Sequence, residues 1–295
     1  MSTNSQQSKY SLVIGDSKFV WGERTYIMGI VNATPDSFSG DGVLPTTGDI
    51  QNAVDQALRM EDEGADIIDV GGESTRPPSL YPDAKPVDSD DEIRRVVPII
   101  EALAGRLDVP ISIDTRKASV VVAAVDVGAA IANDVSMLGD PEMVGIVAST
   151  QVPVIVSHIR HGGHKGYIVQ DVLSDLEGSI DQLIAVRVGR SKIIIDPGLG
   201  FAKTTEQSLD LMRNIDRIRD DLKLPVLIGS SRKSFIGSVT GEPLEDRLFG
   251  TAATIALAIQ SGADIVRVHD VKEMVSVVKM SDELVRVVES GTQNG

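Results

Sequence analysis

The sequence contains no cysteine. This excludes a disulfide framework, a thiolate metal site and a cysteine nucleophile. Aromatic residues are scarce, at 3% of 295. A core must therefore be built from Val, Ile, Leu and Ala, the residues that suit buried parallel strands. Basic residues are in deficit: 28 Lys and Arg face 43 Asp and Glu, for a formal charge of −15. Nucleic acid is an unsuitable partner for such a surface, because a phosphate backbone needs clustered cations. The same deficit makes any local group of cations informative. No uncharged apolar run is long enough to span a bilayer, so no membrane partner is expected. The opening Met1-Ser2-Thr3-Asn4-Ser5-Gln6-Gln7 has neither the basic nor the apolar region of a signal peptide, and a cytoplasmic protein is expected. The Gly-x-Ser-x-Gly elbow of serine hydrolases is missing too.

What the chain does contain is alternation. Eight short β-branched runs read as strands: Tyr26 to Val31, Asp66 to Val70, Ile111 to Asp114, Ala130 to Asn133, Val154 to Ser157, Ile193 to Asp196, Val226 to Ile228 and Asp264 to Val268. Amphipathic segments lie between them. Ile50, Val54 and Leu58, with Ala53 and Ala57, form one stripe that ends at Gly64; Ser119 to Val127 ends at Gly128. Leu209, Met212, Ile215 and Ile218 mark another stripe, Thr251 to Ile259 is almost wholly apolar, and Val271, Val275, Val278 and Leu284 mark the last. Strand and helix alternating eight times predict a (β/α)8 TIM barrel. An open doubly wound sheet would carry a Gly-rich turn after its first strand, where this chain has Asn32-Ala33-Thr34-Pro35. Two further runs, Ser11 to Ile14 and Lys18 to Trp21, flank Gly15-Asp16-Ser17 and predict an N-terminal β-hairpin capping one end. The polar ends 1–9 and 290–295 are expected to be flexible tails, leaving one barrel domain over 10–289.

The chemistry gathers at the C-terminal ends of the strands. These ends carry Asn32, Asp69 with Glu73, Asp114, Asn133-Asp134, His158, Asp196, Ser231 to Lys233, and Arg267 with His269. A barrel brings such ends to one mouth. Asp134, Ser136 and Ser157 also suit a purely local capping role. Asp114, Asn133 and Asp196 would match a ligand rich in N–H donors, because buried carboxylates need donors. Arg76, Lys233, Arg267 and His269 would match an anion such as phosphate. The combination points to a polar heterocycle bearing a phosphate. Long connections, Ala33 to Thr47 and Gly71 to Asp88, leave the same end and read as lids. In the fifth loop, His158 is expected to meet ligand or water, and His161 and His164 to be exposed; the glycines at 162 and 163 argue against a helical zinc motif.

Seven segments, in order, resemble the dihydropteroate synthase family. They are Ile30-Val31-Asn32-Ala33-Thr34-Pro35-Asp36-Ser37-Phe38-Ser39, Asp69-Val70-Gly71-Gly72-Glu73-Ser74-Thr75-Arg76-Pro77, Ile113-Asp114-Thr115, Asn133-Asp134-Val135, Asp196-Pro197-Gly198-Leu199-Gly200-Phe201, Ser231-Arg232-Lys233-Ser234 and Arg267-Val268-His269-Asp270. The resemblance implies condensation of 6-hydroxymethyl-7,8-dihydropterin diphosphate with 4-aminobenzoate, releasing pyrophosphate and 7,8-dihydropteroate. It implies that Asp114, Asn133, Val135, Asp196 and Lys233 bind the pterin. Asn32 would hold Mg2+, and Asn32, Arg76, Arg267 and His269 would meet the diphosphate. Phe38, Thr75, Pro77 and Ser234 would line the aminobenzoate site. Lys233, Asp114, Asp196 and Arg267 would carry catalysis. Arg232 is expected to turn away into a structural contact. A homodimer through barrel helices and a target site for sulfonamides, which mimic 4-aminobenzoate, are also implied. Departures from the family pattern are Ala33, the order Ser39-Gly40-Asp41-Gly42, Ser157, Ala202 and the fifth loop Arg160-His161-Gly162-Gly163. Two other readings are a catalytically silent pterin-binding paralogue and a methyltetrahydrofolate methyltransferase-like enzyme, which needs no diphosphate site.

Overall fold

The computed structural model describes residues 11–33, 47–73, 87–160, 162–164 and 166–286. The expected tails at 1–9 and 290–295, and most of the two long connections, lie outside the described residues. Eight strands form one parallel sheet: β3 (Tyr26–Asn32), β4 (Ile67–Gly71), β5 (Ile111–Thr115), β6 (Ile131–Asp134), β7 (Val154–Ser157), β8 (Ile193–Asp196), β9 (Leu227–Ile228) and β10 (Ile265–Val268). The order β8-β7-β6-β5-β4-β3-β10-β9, with a parallel bridge between Ile195 and Val226, closes them into a TIM barrel. Sequential strands are therefore neighbours, and β10 lies between β3 and β9.

The two-residue period of a strand sorts the side chains. Ile68, Val70, Ile113, Ala132, Val154, Val156, Ile193, Ile195, Val266 and Val268 face outward into the main core against the helices. Met28, Ile67, Ile131, Ile155, Ile194, Leu227 and Ile265 form a second apolar cluster on the opposite face, in the barrel lumen. Moving two residues on along these strands turns the lumen polar: Ile67 leads to Asp69, Ile131 to Asn133, Ile155 to Ser157, Ile194 to Asp196 and Ile265 to Arg267. An apolar floor thus supports a polar mouth.

The hairpin of β1 (Ser11–Ile14) and β2 (Ser17–Val20) is antiparallel and seals that floor. Its Leu12, Ile14 and Phe19 join the lumen cluster. Phe19 also packs on Tyr26 at 4.8 Å and stacks on Trp21 at 5.8 Å between ring centroids. Three of the chain's few aromatic rings are spent on this plug.

The surrounding helices are α1 (Thr47–Glu63), α2 (Ser89–Leu103), α3 (Ala118–Asp126), α4 (Met143–Thr150), α5 (Ile168–Ala185), α6 (Thr205–Met212), α7 (Ile215–Leu222), α8 (Ser234–Thr240), α9 (Leu248–Gln260) and α10 (Val271–Val285). The stripe Leu209 to Ile218 is two helices rather than one. Asn214 interrupts it, in a non-helical backbone with its side-chain amide donating to the Asp210 carbonyl at 2.8 Å. Asparagine competes locally for backbone partners and favours helix ends. Among the described residues no helix is long and apolar enough to cross a membrane.

The hairpin contributes packing to the floor and no group to the mouth. Phe19→Ala should cost about 3–5 kcal/mol of stability in urea denaturation, while specific activity of the folded fraction stays unchanged.

Candidate active site

Arg267, on β10, reaches across the mouth and joins two strands. Its Nε donates to Asp69 Oδ2 on β4 and its Nη2 to Asp114 Oδ2 on β5, each at 2.6 Å. Asn133 Nδ2 on β6 donates to the same Asp69 oxygen at 3.1 Å. Asp69, Asp114 and Asn133 are all buried. Burial pushes the Asp114 carboxyl up to about 7; Arg267 pulls it back, while Asp69 and Glu92 push it further up. Burial works against the charged form of Arg267 as well, but Asp69 and Asp114 outweigh it and raise its pKa. Asp69 Oδ1 and Asn133 Oδ1 are buried acceptors that no donor among the described residues meets. Such orphans are costly unless something else supplies an N–H.

Asp196 ends β8 opposite Ser157 of β7. Its Oδ1 accepts the Gly198 N–H at 2.7 Å and its Oδ2 accepts the Ser157 hydroxyl at 3.3 Å. Ser157 is therefore no cap; it is a buried donor to a site carboxylate. Burial raises the Asp196 pKa against the pull of the Gly198 N–H and of Lys233. The Lys233 ammonium donates to the Leu199 carbonyl at 2.6 Å and sits 3.9 Å above the Phe201 ring. Burial lowers it to about 8, although Asp196 and Asp114 favour its charge.

Ser231 and His269 lie side by side: His269 Nδ1 is 3.0 Å from the Ser231 hydroxyl, which also accepts the His269 N–H at 3.2 Å. Arg232 turns away, with φ +57°, and forms a two-pronged ion pair with Asp270. Its backbone N–H meets the Thr251 hydroxyl at 3.0 Å. That turn lets adjacent cations face different directions. Val135 is buried next to Asn133 and Asp134, and its N–H meets the Thr115 carbonyl at 3.4 Å. Asp134 is a loop organiser, accepting from the backbone and hydroxyl of Ser136 and the backbone of Leu138. Asn32 ends β3, in register with Gly71. Ser234 is exposed at the start of α8. Phe38, Thr75, Arg76 and Pro77 lie outside the described residues.

Glu73 is tied down by Arg116 and by Lys117, whose ammonium is 2.7 Å from Glu73 Oε2 and also pairs with buried Glu92. The fifth loop departs from expectation. His158 is fully buried, with Nε2 3.0 Å from Asp175 of α5, and burial holds it down at about 4. His164 is not exposed; its side chain is 1% accessible and Nδ1 lies 3.1 Å from Asp171. Arg160 bridges Asp171 and Asp175, folding the loop against α5. His161 lies outside the described residues. Among the described residues no three His, Asp or Glu side chains are placed to hold a metal.

Asp69 and Ser157 are the site residues given no ligand-facing role by the sequence. Their signal was the period of two: each stands two positions beyond a lumen isoleucine.

A family model described as pterin binding enzyme matches residues 28–269. The chain is 46% identical over 275 residues to a dihydropteroate synthase of Clostridium beijerinckii, covering 92% of this chain and 99% of that protein. A structure of the dihydropteroate synthase of Clostridium difficile, solved in the presence of pteroic acid, superposes with a TM-score of 0.85 at 42% identity, covering 90% of this chain and 99% of that one. The Xanthomonas albilineans dihydropteroate synthase with 4-aminobenzoic acid gives 0.87 at 38% identity, covering 95% of this chain and all of that one.

The raised Asp114 pKa has a defined sign. Between the ordinary carboxylate value of 3.8 and about 7 the folded protein keeps a proton that the unfolded chain releases, so this group makes stability fall as pH rises through that window. Arg267→Met should raise the Asp114 pKa further and leave two facing carboxylates. Its destabilisation should be about 3–5 kcal/mol at pH 8 and smaller at pH 5.5, where Asp114 is protonated. Denaturation at the two pH values measures this; equal losses would show that Asp114 does not titrate with Arg267.

Proposed function

The chain belongs to the dihydropteroate synthase family of pterin-binding enzymes, and we propose that the side chains of its barrel mouth divide that family's reaction among them. The activity is that of a dihydropteroate synthase, a transferase of folate biosynthesis. Its substrates on this reading are 6-hydroxymethyl-7,8-dihydropterin diphosphate and 4-aminobenzoate. The observation that carries the division is the unmet acceptor Asn133 Oδ1 beside the Asp69–Arg267–Asp114 group. An N–H-rich heterocycle supplies what these acceptors lack.

The pterin amino and ring N–H groups would donate to Asp114, Asn133 and Asp196, Lys233 would donate to an acceptor of the ring, and Val135 would pack against its face. Arg267 has one guanidinium nitrogen, Nη1, outside both carboxylate bonds. It is assigned to the diphosphate together with Arg76 and His269. Asn32 offers a neutral, hard oxygen donor, and among the described residues no group of three His, Asp or Glu side chains stands ready to hold a metal. That donor set fits Mg2+ ligated mainly by phosphate oxygens and water, and the ion when bound would neutralise charge on the leaving group. Ser234 is assigned to the aminobenzoate subsite, with Phe38, Thr75 and Pro77.

The chemistry needs no nucleophile from the protein. The pterin C–O bond breaks and its electron pair leaves with pyrophosphate, where Arg267 and its partners stabilise developing charge. The cation at the pterin methylene is delocalised into the ring. The amine lone pair of 4-aminobenzoate then forms the C–N bond, and the nitrogen's proton passes to the released pyrophosphate or to water. Lys233, tuned to about 8, holds the ring through this change. A cytoplasmic location and a homodimer complete the reading. The dimer is supported by exposed apolar side chains on adjoining helices: Phe249 and Leu257 on α9, Met280 and Leu284 on α10.

Purified protein should release pyrophosphate only with both substrates and Mg2+, with turnover lost to a chelator and restored by magnesium. Lys233→Ala should lower kcat/KM by about 10²-fold or more. Pterin binding without turnover would instead indicate the silent paralogue. Bridge-to-nonbridge isotope scrambling in the pterin diphosphate should accompany turnover; its absence would count against the dissociative order.

A further inference from the structure

The loop Pro197 to Lys203 lies between two lysines. On the mouth side, Lys233 donates to the Leu199 carbonyl at 2.6 Å, and its ammonium is 3.9 Å above the Phe201 ring. On the other side, the Lys203 ammonium donates to three carbonyls: His158 at 3.0 Å, Gly198 at 2.9 Å and Phe201 at 3.1 Å. Three N–H donors meet three acceptors, which is the full capacity of a charged lysine. The backbone turns that allow this are Gly198 at φ +69°, Gly200 at +76° and Ala202 at +48°. A Cβ at Gly198 would fall 1.9 Å from the His158 carbonyl oxygen, and one at Gly200 would press on Lys233 Cδ at 3.2 Å. The turns at Gly198 and Gly200 therefore serve close approaches to the His158 carbonyl that Lys203 holds and to Lys233.

We propose that Lys203 is a positioning residue for the pterin site, setting the Leu199 carbonyl, the Phe201 ring and the Gly198 N–H that in turn place Lys233 and Asp196. Lys203 touches no substrate in this scheme. It fixes the loop after β8 to the strand end of β7 through the His158 carbonyl, and so couples two mouth loops. The Gly198 N–H, whose carbonyl Lys203 holds, donates to Asp196 Oδ1 at 2.7 Å. Phe201, whose carbonyl it also holds, carries the ring beneath Lys233. A neutral amine donates only two hydrogens, so loss of the Lys203 charge frees one of the three carbonyls. Burial, with Lys233, lowers the Lys203 pKa against the pull of Asp196 and Asp175. The loop's hold on Lys233 is then sensitive to any change that removes the cation.

The inference rests on the pterin-site reading, and a binding cycle separates the two. Calorimetric affinity for the pterin diphosphate is measured for the unsubstituted chain, Lys203→Met, Lys233→Ala and the double variant, each confirmed folded by thermal unfolding. Lys203→Met should weaken binding about 10-fold or more, and should add less than about threefold in the Lys233→Ala background, because coupled residues are not additive. KM for 4-aminobenzoate should change less than KM for the pterin substrate. Additive losses, or Lys203→Met binding within about twofold of the unsubstituted chain, would overturn the positioning role and leave the pterin site standing. No pterin binding by the unsubstituted chain would overturn both. Should Lys203→Met not fold, Lys203→Gln, which keeps donors for part of the cap, enters the same cycle with a smaller expected loss.

Discussion

A largely buried arginine held between two carboxylates sets the terms for this molecule. Arg267 is 198 residues from Asp69 and 153 from Asp114, yet it bonds both at charge-assisted distances. Three ions cannot be taken out of water unless they meet in good geometry. They meet only if β10 returns beside β3, so that its side chains face those of β4 and β5 across the mouth. A lysine would not serve, since a point charge lacks the planar fork that reaches two acceptors at once. Barrel closure and site assembly are therefore one requirement. Burial, only partly offset by Arg267, leaves Asp114 titrating near 7, poised to respond to a ligand's donors.

The apolar parts of the fold make that arrangement affordable. Below the ions the lumen is filled by isoleucines, Met28 and Leu227, and the hairpin with Phe19 closes it from outside. The floor offers the polar groups above it no hydrogen-bonding partner, so they turn to the mouth. The outward faces of the same strands bury against the helices. Rigid strand ends then hold Asp69, Asp114, Asn133 and Asp196, while Lys233 comes from a turn whose far wall is the loop that Lys203 caps. Precision comes from strands for the carboxylates and from a stapled loop for the cation.

Much of this was legible in the sequence for identifiable reasons. Parallel strands buried on both sides read as continuous Val and Ile runs, so all eight were found within a residue or two of their bounds, and the hairpin with them. Polar residues ending such runs had to face a common mouth once the barrel was inferred, which is why Asp114, Asn133, Asp196 and Arg267 stood out. The turning away of Arg232 was expected once the resemblance put Lys233 at the pterin. Other features depend on partners that no local pattern reveals. Asp69 matters because of an arginine at the far end of the chain. His164 is covered because Arg160 draws its loop onto two aspartates of α5, and the glycines beside it hide that. The break at Asn214 interrupts a stripe whose apolar spacing is unbroken. Lys203 looks like any surface lysine before a helix until three carbonyls are seen to converge on it.

The tie between ion geometry and ligand recognition is tested most directly by affinity for 6-hydroxymethyl-7,8-dihydropterin diphosphate across pH 5.5 to 7.5, measured by calorimetry on the unsubstituted chain and on Asp114→Asn. Affinity of the unsubstituted chain should rise with pH through about 7, as Asp114 loses its proton and becomes a stronger acceptor. The step should vanish in Asp114→Asn. A pH profile that is the same in both proteins would contradict the placing of Asp114 between Arg267 and the pterin.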